Sequence, residues 1–199
     1  MLEMGIKMYR LFEEKLNLWY QSGAKKPLMI IGARQIGKTY TIEKFCKSSF
    51  SHYFYFNLEK EPEITSIFEK TIVPEEIIYN IETRIERTID EEDCIMFFDE
   101  VQVSEKFITS LKYFCECNKN YKIICAGFLL GVKLNRFSSS FPVGKVDLLN
   151  MYPMNFKEFL IACGQNKLLE KIKDCYKNMI AMDSDLHEKA LFYYRQFLI

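Results

Sequence analysis

The chain has 199 residues, of which 49% are hydrophobic and 15% aromatic, enough for one α/β domain and the start of a second. Its 27 basic residues balance its 27 acidic ones, so we do not expect nucleic acid as a partner, because such binders usually concentrate positive charge. The seven cysteines form no C-x-x-C pair and no stretch approaches about 18 apolar residues, which predicts a cytoplasmic protein without disulfides, a zinc site or a membrane span.

Apolar residues at steps of three and four predict an amphipathic helix at residues 8–19. Five short, largely apolar runs then predict strands, at residues 28–31, 53–57, 94–98, 121–126 and 145–149. Pro62 and Pro74 each predict the first turn of a helix, and Ser104 is the predicted N-cap of another. Apolar strands that alternate with helices predict a parallel sheet covered on both faces.

The pattern is purely helical beyond residue 153, and the last helix is predicted at residues 186–199. That helix stops on Phe197, Leu198 and Ile199 without a polar tail, whereas chain ends are usually solvated. We therefore predict that the chain is cut within an element that would normally continue.

Residues 32–39 read Gly-Ala-Arg-Gln-Ile-Gly-Lys-Thr and match the phosphate-binding loop G-x-x-x-x-G-K-[ST] between a predicted strand and a predicted helix. Glycines let the backbone N–H groups close around phosphates at the positive end of that helix. Lys38 is expected to reach the β- and γ-phosphates of ATP, and Thr39 to offer its hydroxyl to Mg²⁺. The predicted nucleotide-binding residues are Gly32, Ala33, Arg34, Gln35, Ile36, Gly37, Lys38, Thr39 and Tyr40. Within the loop, the side chains of Arg34 and Gln35 are expected to point outward.

Two acidic residues, Asp99 and Glu100, follow the apolar run 94–98. A phosphate-loop enzyme needs a second acidic strand end, where one carboxylate holds Mg²⁺ and the other orients the attacking water. We therefore predict Asp99 and Thr39 as the magnesium residues, and Glu100 and Lys38 as the catalytic residues. A solvated acidic turn is the alternative interpretation.

Several segments together resemble one protein family: residues 32–39 (GARQIGKT), 97–102 (FFDEVQ), 110–116 (SLKYFCE), 140–146 (SFPVGKV) and 152–160 (YPMNFKEFL). The sequence looks like the prokaryotic AAA-type "ATP-binding protein" family, in which an AAA ATPase core precedes a C-terminal domain of unknown function. The resemblance implies an α/β P-loop NTPase three-layer sandwich. Its five-stranded parallel sheet would have the order 5-1-4-3-2 and be followed by a helical segment.

The same resemblance implies a Walker A motif at residues 32–39 and a Walker B motif at Asp99 and Glu100. It assigns residues 1–153 to the ATPase core with an N-terminal helix, and residues 154–199 to the start of a helical lid or C-terminal region. Family members continue past residue 199, which agrees with the predicted truncation.

Analogy with AAA-type ATPases suggests roles for Asn57 and Arg136, and Gln102 is a further candidate because of its place in the sequence. Asn57 ends the second predicted strand, where a polar residue can restrain the catalytic glutamate, although it equally fits a turn or helix cap. Arg136 lies where a trans-acting arginine finger often sits, with a solvated loop arginine as the alternative. Gln102 is close enough to the acidic pair to contact a substrate or a neighbouring subunit, or to serve the fold alone.

Phe128 departs from the family pattern. After the fourth strand the family usually reads glycine-serine, and that polar residue senses the γ-phosphate. This chain has Gly127 and Phe128, and phenylalanine cannot hydrogen-bond a phosphate or a water. Either hydrolysis is slow, or sensing falls to another group.

The leading functional hypothesis is a Mg²⁺-dependent ATPase that couples its nucleotide state to a partner or a C-terminal domain, with ATP and Mg²⁺ as cofactors. The alternative from another class is a nucleotide-binding switch or scaffold with little hydrolysis. A DNA-associated motor and a small-molecule kinase fit less well, because of the balanced charge and the DEVQ segment. The expected partners are an unknown protein, the missing C-terminal domain or further copies of the chain.

Overall fold

The computed structural model describes residues 9–23, 25–128 and 142–198. These residues fall into a larger unit, 12–152, and a smaller unit that joins 9–11 to 153–198. No helix in the described part of the chain is long and apolar enough to cross a bilayer. The assignment of the units to an ATPase core and a truncated C-terminal region stays a prediction.

A parallel sheet of five strands lies at the centre of the larger unit. The strands are β1 Leu28–Ile31, β2 His52–Asn57, β3 Cys94–Asp99, β4 Lys122–Gly127 and β5 Asp147–Asn150. Their order, β2-β3-β4-β1-β5, confirms the predicted order 5-1-4-3-2. The fifth strand begins two residues later than predicted, because Lys145 lies in a turn in which its N–H donates to the Pro142 carbonyl at 3.0 Å.

Helices cover both faces of this sheet and form the outer layers of the predicted sandwich. The helices are α1 Phe12–Gln21, α2 Lys38–Ser49, α3 Pro62–Lys70, α4 Pro74–Ile85 and α5 Glu105–Glu116. Neighbouring residues of a strand face opposite layers, so Phe97 packs with α1 and α2 whereas Phe98 packs with α3, α4 and α5. Phe98 contacts three aromatic rings at centroid distances of 4.9 to 5.7 Å, those of Phe56, Phe68 and Phe107.

The predicted helix starts are confirmed in the larger unit, with one correction. Pro62 and Pro74 occupy the first turns of α3 and α4, and the Ser104 hydroxyl accepts the Phe107 N–H at 3.1 Å as the N-cap of α5. The first helix, predicted from residue 8, begins instead at Phe12. The preceding Leu11 N–H donates to the Glu158 carboxylate at 2.7 Å, which holds this backbone outside the helix.

The smaller unit is helical, as the pattern beyond residue 153 predicts. Its helices are α6 Phe156–Ala162, α7 Asn166–Asn178 and α8 Ser184–Phe197, around a small core of Leu160, Leu168 and Leu169. Phe156 packs against Phe197 at a centroid distance of 5.7 Å, yet none of the described side chains of α8 is buried. The helix α8 therefore contributes only partly buried side chains to this core, among them Ala190 and Tyr193.

Glu158 connects the two chain segments of the smaller unit. Its carboxylate accepts hydrogen bonds from Arg10 Nε at 3.2 Å, from the Leu11 N–H at 2.7 Å and from the Asn155 N–H at 2.9 Å. Asn155 Oδ1 accepts the Glu158 N–H in return, so the two residues form the capping box of α6. The Arg10 and Glu158 side chains are only 3% and 4% exposed, so both charges are removed from water as a pair.

Glu158→Ala is therefore expected to destabilise the protein by about 3–5 kcal/mol, the usual loss when one partner of a buried ion pair is removed. Thermal unfolding followed by circular dichroism measures the effect. Glu170→Ala, an exposed change on α7, is the matched control and should stay within about 0.5 kcal/mol of the unchanged protein. Equal melting temperatures for the two variants would contradict the importance of this ion pair.

Candidate functional site

A cleft of about 440 Å³ opens at the carboxyl ends of the strands in the larger unit. It lies beyond β1 and β3, where ligands of open parallel sheets usually bind. Its lining comprises Arg34, Gln35, Gly37, Lys38, Thr39, Tyr40, Asp99 and Glu100. The fold thus brings the predicted phosphate loop and the predicted acidic pair to one place, although they are far apart in the sequence.

Two glycines give the loop between β1 and α2 its shape. A Cβ on Gly32 would overlap the carbonyl oxygen of Met151, the residue after β5, so this close approach leaves no room for a side chain. Gly37 has φ 85° and is the N-cap of α2 without a side chain that could cap the helix. The first N–H groups of α2 are therefore available to a ligand at the positive end of the helix.

Lys38 begins α2, and its ammonium group lies within the loop. Its Nζ donates to the carbonyl oxygens of Gly32 at 3.0 Å and Ala33 at 2.6 Å. Partial burial lowers the pKa of Lys38, whereas the nearby carboxylates of Asp99 and Glu100 act to raise it. An anion beside this ammonium group would stabilise its charged form.

Thr39 and Asp99 are joined directly across the cleft. The Thr39 hydroxyl donates to Asp99 Oδ2 at 2.7 Å, and the other carboxylate oxygen, Oδ1, accepts the Glu100 N–H at 2.9 Å. Asp99 is buried at the end of β3, and this burial raises the pKa of its carboxyl group. The two hydrogen bonds and the Lys38 charge oppose that rise by stabilising the carboxylate.

Glu100 follows β3 in an uncommon backbone conformation. Its φ of 54° lies in the left-handed region, which is costly for a residue with a side chain. Gln102, buried in the short 3₁₀ helix Val101–Val103, donates from its Nε2 to Glu100 Oε2. Gln102 thereby holds the carboxylate in place, a contact that the sequence interpretation did not include.

Asn57 lies at the end of β2 and its side chain bonds to the turn that follows. Its Oδ1 accepts the N–H groups of Glu59 at 3.1 Å and Lys60 at 3.0 Å, which is the turn-cap geometry that the sequence also allowed. Its Nδ2 donates to the Tyr55 hydroxyl at 3.3 Å, and that hydroxyl donates to Asp99 Oδ2 at 3.4 Å. Asn57 is thus linked to the site through Asp99, and a role in restraining Glu100 stays a prediction.

The Arg34 side chain extends from the phosphate loop to Phe128, which follows β4. Its guanidinium carbon lies 3.6 Å from the centroid of the Phe128 ring, while the side chain also lines the cleft. Arg34 is exposed, as expected for a side chain that points outward. Its guanidinium nevertheless contacts the Phe128 ring.

The remaining predicted residues have varied positions. Gln35 and Tyr40 line the cleft, Gln35 with φ 61°, and the Ile36 side chain packs at the edge of the core beneath the loop. Ala33 contributes its carbonyl oxygen to Lys38. Arg136 lies outside the described residues, and its role as an arginine finger stays a prediction.

Three contacts of this site escaped the sequence interpretation: Tyr55 with Asp99, Gln102 with Glu100, and Arg34 with Phe128. A signal for Tyr55 was available, because residues 55 and 57 share one face of β2, next to the end of β3. No local pattern indicates the other two contacts. The contact of Gln102 with Glu100 depends on the backbone conformation at Glu100, and that of Arg34 with Phe128 on the pairing of β1 with β4.

The comparisons with known proteins agree with this geometry. Residues 24–160 match a family model described as an AAA domain. The chain is similar to the Walker-type ATPase PABY2304 of Pyrococcus abyssi, with a TM-score of 0.51 and 14% identity over 92% of this chain and 62% of that one. It is also similar to the ORC1 protein of Aeropyrum pernix in complex with DNA, with a TM-score of 0.50 and 16% identity over 82% of this chain and 51% of that one.

Identities this low show a shared fold and no more. The chain spans 62% and 51% of the lengths of these two structures, so each contains a substantial part that has no counterpart here. No curated protein matches the sequence.

Proposed function

This chain belongs to the AAA domain family, and from that premise we propose that it is a Mg²⁺-dependent ATPase that converts ATP to ADP and phosphate. The observation that supports this most strongly is the 2.7 Å contact between the Thr39 hydroxyl and Asp99, with Lys38 and Glu100 in the same cleft. A phosphate loop, a magnesium pair and a second carboxylate are the parts that ATP hydrolysis requires.

Binding of the phosphate chain is assigned to the loop and to the beginning of α2. Gly32 and Gly37 keep the backbone clear of side chains, and the N–H groups that follow Gly37 face the phosphates. Lys38 would exchange its two contacts with loop carbonyl oxygens for phosphate oxygens, which carry more negative charge. The loop therefore holds the lysine close to the position in which it is needed.

Magnesium fits the residues that are present. Thr39 and Asp99 supply adjacent oxygen atoms, the ligand type that Mg²⁺ prefers. Within the described residues no three His, Cys, Asp or Glu side chains cluster to hold a metal, so water and phosphate oxygens are expected to complete the coordination. Bound Mg²⁺ would neutralise charge on the phosphates.

Glu100 is assigned the orientation of the attacking water and acceptance of its proton. Its carboxylate lies in the cleft, is held by Gln102 and follows directly after the magnesium residue Asp99. A general base of this kind must lie within hydrogen-bond reach of the water that it activates. We further propose that the nucleotide state is passed to a protein partner or to a C-terminal domain.

The second candidate is a nucleotide-dependent switch that binds ATP and hardly hydrolyses it. Phe128 favours it, since the side chain of the residue that follows β4 cannot hydrogen-bond a γ-phosphate. Phosphate release under steady-state conditions separates the two candidates. An ATPase releases phosphate continuously with Mg²⁺ and stops when EDTA is added, whereas a switch binds ATP with a turnover near the background rate.

Asp99→Asn should weaken ATP binding at least about tenfold when Mg²⁺ is present and leave the Mg²⁺-free affinity within about twofold. The amide keeps the shape of the side chain but loses the charge that attracts the ion. Calorimetric titration with and without Mg²⁺ measures both affinities. Asp93→Asn, an exposed change just before the other end of β3, is the control, and an equal loss of affinity without Mg²⁺ would argue against a magnesium role.

A further inference from the structure

We infer that the Arg34 guanidinium is a second cation for the terminal phosphate of ATP, and that Phe128 is the residue that positions it. The inference rests on the proposed ATP site and adds to it a side chain that distinguishes ATP from ADP. It rests on the 3.6 Å stacking of Arg34 over the Phe128 ring at the border of the cleft.

The sheet order directs this side chain toward the acidic residues. Ile31 at the end of β1 is paired with Gly127 at the end of β4, so the phosphate loop and Phe128 leave the sheet at the same level. Strand β4 lies between β1 and β3. An arginine of the loop that extends over Phe128 therefore points toward the strand of Asp99 and Glu100, where the reacting end of the nucleotide is expected.

Stacking suits an arginine that must remain available to a phosphate. A guanidinium stacked on an aromatic face keeps the N–H groups around its edge available to phosphate oxygens, often two at once. The aromatic face also limits the rotamers of a long side chain, so less conformational entropy is lost when the nucleotide binds. A lysine at this position would gain less from stacking on the ring, because its ammonium group is not planar.

The charges of the cleft support an anion at this position. Arg34 and Lys38 place two positive charges on the lining of the cleft, beside the carboxylates of Asp99 and Glu100. Two cations that face one cleft repel each other, and a bound anion of high charge relieves this repulsion. ATP carries an additional phosphate compared with ADP, and the relief is correspondingly larger.

The pair also accounts for the missing polar residue after β4. Phenylalanine cannot donate a hydrogen bond to the γ-phosphate, but it can hold an arginine that does. Sensing of the terminal phosphate is thereby assigned to Arg34, and Phe128 acts through it. Phe128 is a positioning residue, since it would not contact the nucleotide itself.

The test compares ATP and ADP affinities, measured by calorimetry with Mg²⁺. Arg34→Ala should lower ATP affinity about tenfold or more and leave ADP affinity within about twofold. Phe128→Leu should lower the ATP-to-ADP preference in the same direction by about threefold to tenfold, whereas Phe128→Tyr, which keeps the aromatic face, should preserve it. Arg87→Ala is the matched control, because Arg87 also stacks on a phenylalanine, Phe54, with the guanidinium carbon 4.9 Å from the ring centroid.

These variants separate the contact of Arg34 with the terminal phosphate from the positioning of Arg34 by Phe128. Equal losses of ATP and ADP affinity in Arg34→Ala would overturn the contact with the terminal phosphate. A reduced ATP preference in Arg34→Ala together with an unchanged one in Phe128→Leu would overturn the positioning role. If binding of both nucleotides is lost in Lys38→Ala while Arg34→Ala keeps the affinities of the unchanged protein, the inference fails and the proposed function stands. If the unchanged protein binds neither nucleotide, the proposed function fails as well.

Discussion

Lys38→Ala should abolish measurable ATP binding, the largest effect on affinity that we expect from one residue of this chain. The ammonium group is held at the beginning of α2, beside the loop carbonyl oxygens of Gly32 and Ala33. A charge-assisted hydrogen bond contributes about 1.5–3 kcal/mol, and Lys38 is expected to make such contacts with two phosphates. The combined loss corresponds to a factor of about 10² or more in the dissociation constant.

Calorimetric titration with ATP measures this loss, and a second lysine of α2 provides the control. Lys47 is 55% exposed and pairs with Glu43, four residues earlier on the same helix. Lys47→Ala should therefore bind ATP like the unchanged protein. Melting temperatures of both variants show whether the fold survives. Unchanged ATP affinity in a folded Lys38→Ala would remove the assignment of residues 32–39 as a phosphate-binding loop.

Glu100→Gln should stop hydrolysis while ATP binding is retained. The amide has nearly the same shape as the carboxylate, and its oxygen can still accept the hydrogen bond from Gln102. It cannot accept the proton of the attacking water, however, and loss of a general base typically costs about 10²–10⁴ in rate. Affinity depends on the loop and on α2, which this change leaves alone.

Phosphate release and ATP titration on the same sample separate the two effects of Glu100→Gln. Glu105→Gln serves as the control, because Glu105 is an exposed carboxylate in the first turn of α5. It should keep full turnover. If Glu100→Gln turns over ATP at the unchanged rate, Glu100 is not the catalytic carboxylate, and another acidic group of the cleft must take that place.

The sheet could be predicted because its strands are visible locally. A parallel strand buried on both faces is a continuous apolar run, and all six residues of β3 are buried. The beginning of α1 could not be predicted in the same way. Its position depends on Glu158, which binds the backbone of Leu11 and lies 147 residues later in the sequence. A periodic pattern carries no information about a contact between residues so far apart in the sequence.

The same distinction between local patterns and distant contacts applies to the candidate site. The phosphate loop is predictable because consecutive residues build it, and Asp99 and Glu100 are predictable because they end a buried strand. The contact between Arg34 and Phe128 is not, since it requires knowing that β4 lies beside β1. For Asn57 the sequence left two interpretations open, and the hydrogen bonds of its side chain match the turn cap.

The left-handed backbone of Glu100 has a consequence for how this protein can be changed. A side chain in that conformation costs of order 1–3 kcal/mol, and glycine adopts it without the penalty. Selection for heat resistance alone would therefore favour glycine at position 100, the position assigned to catalysis. An engineering campaign that scores only melting temperature would enrich well-folded molecules that lack the proposed catalytic carboxylate. Stability and turnover need to be selected together from the first round.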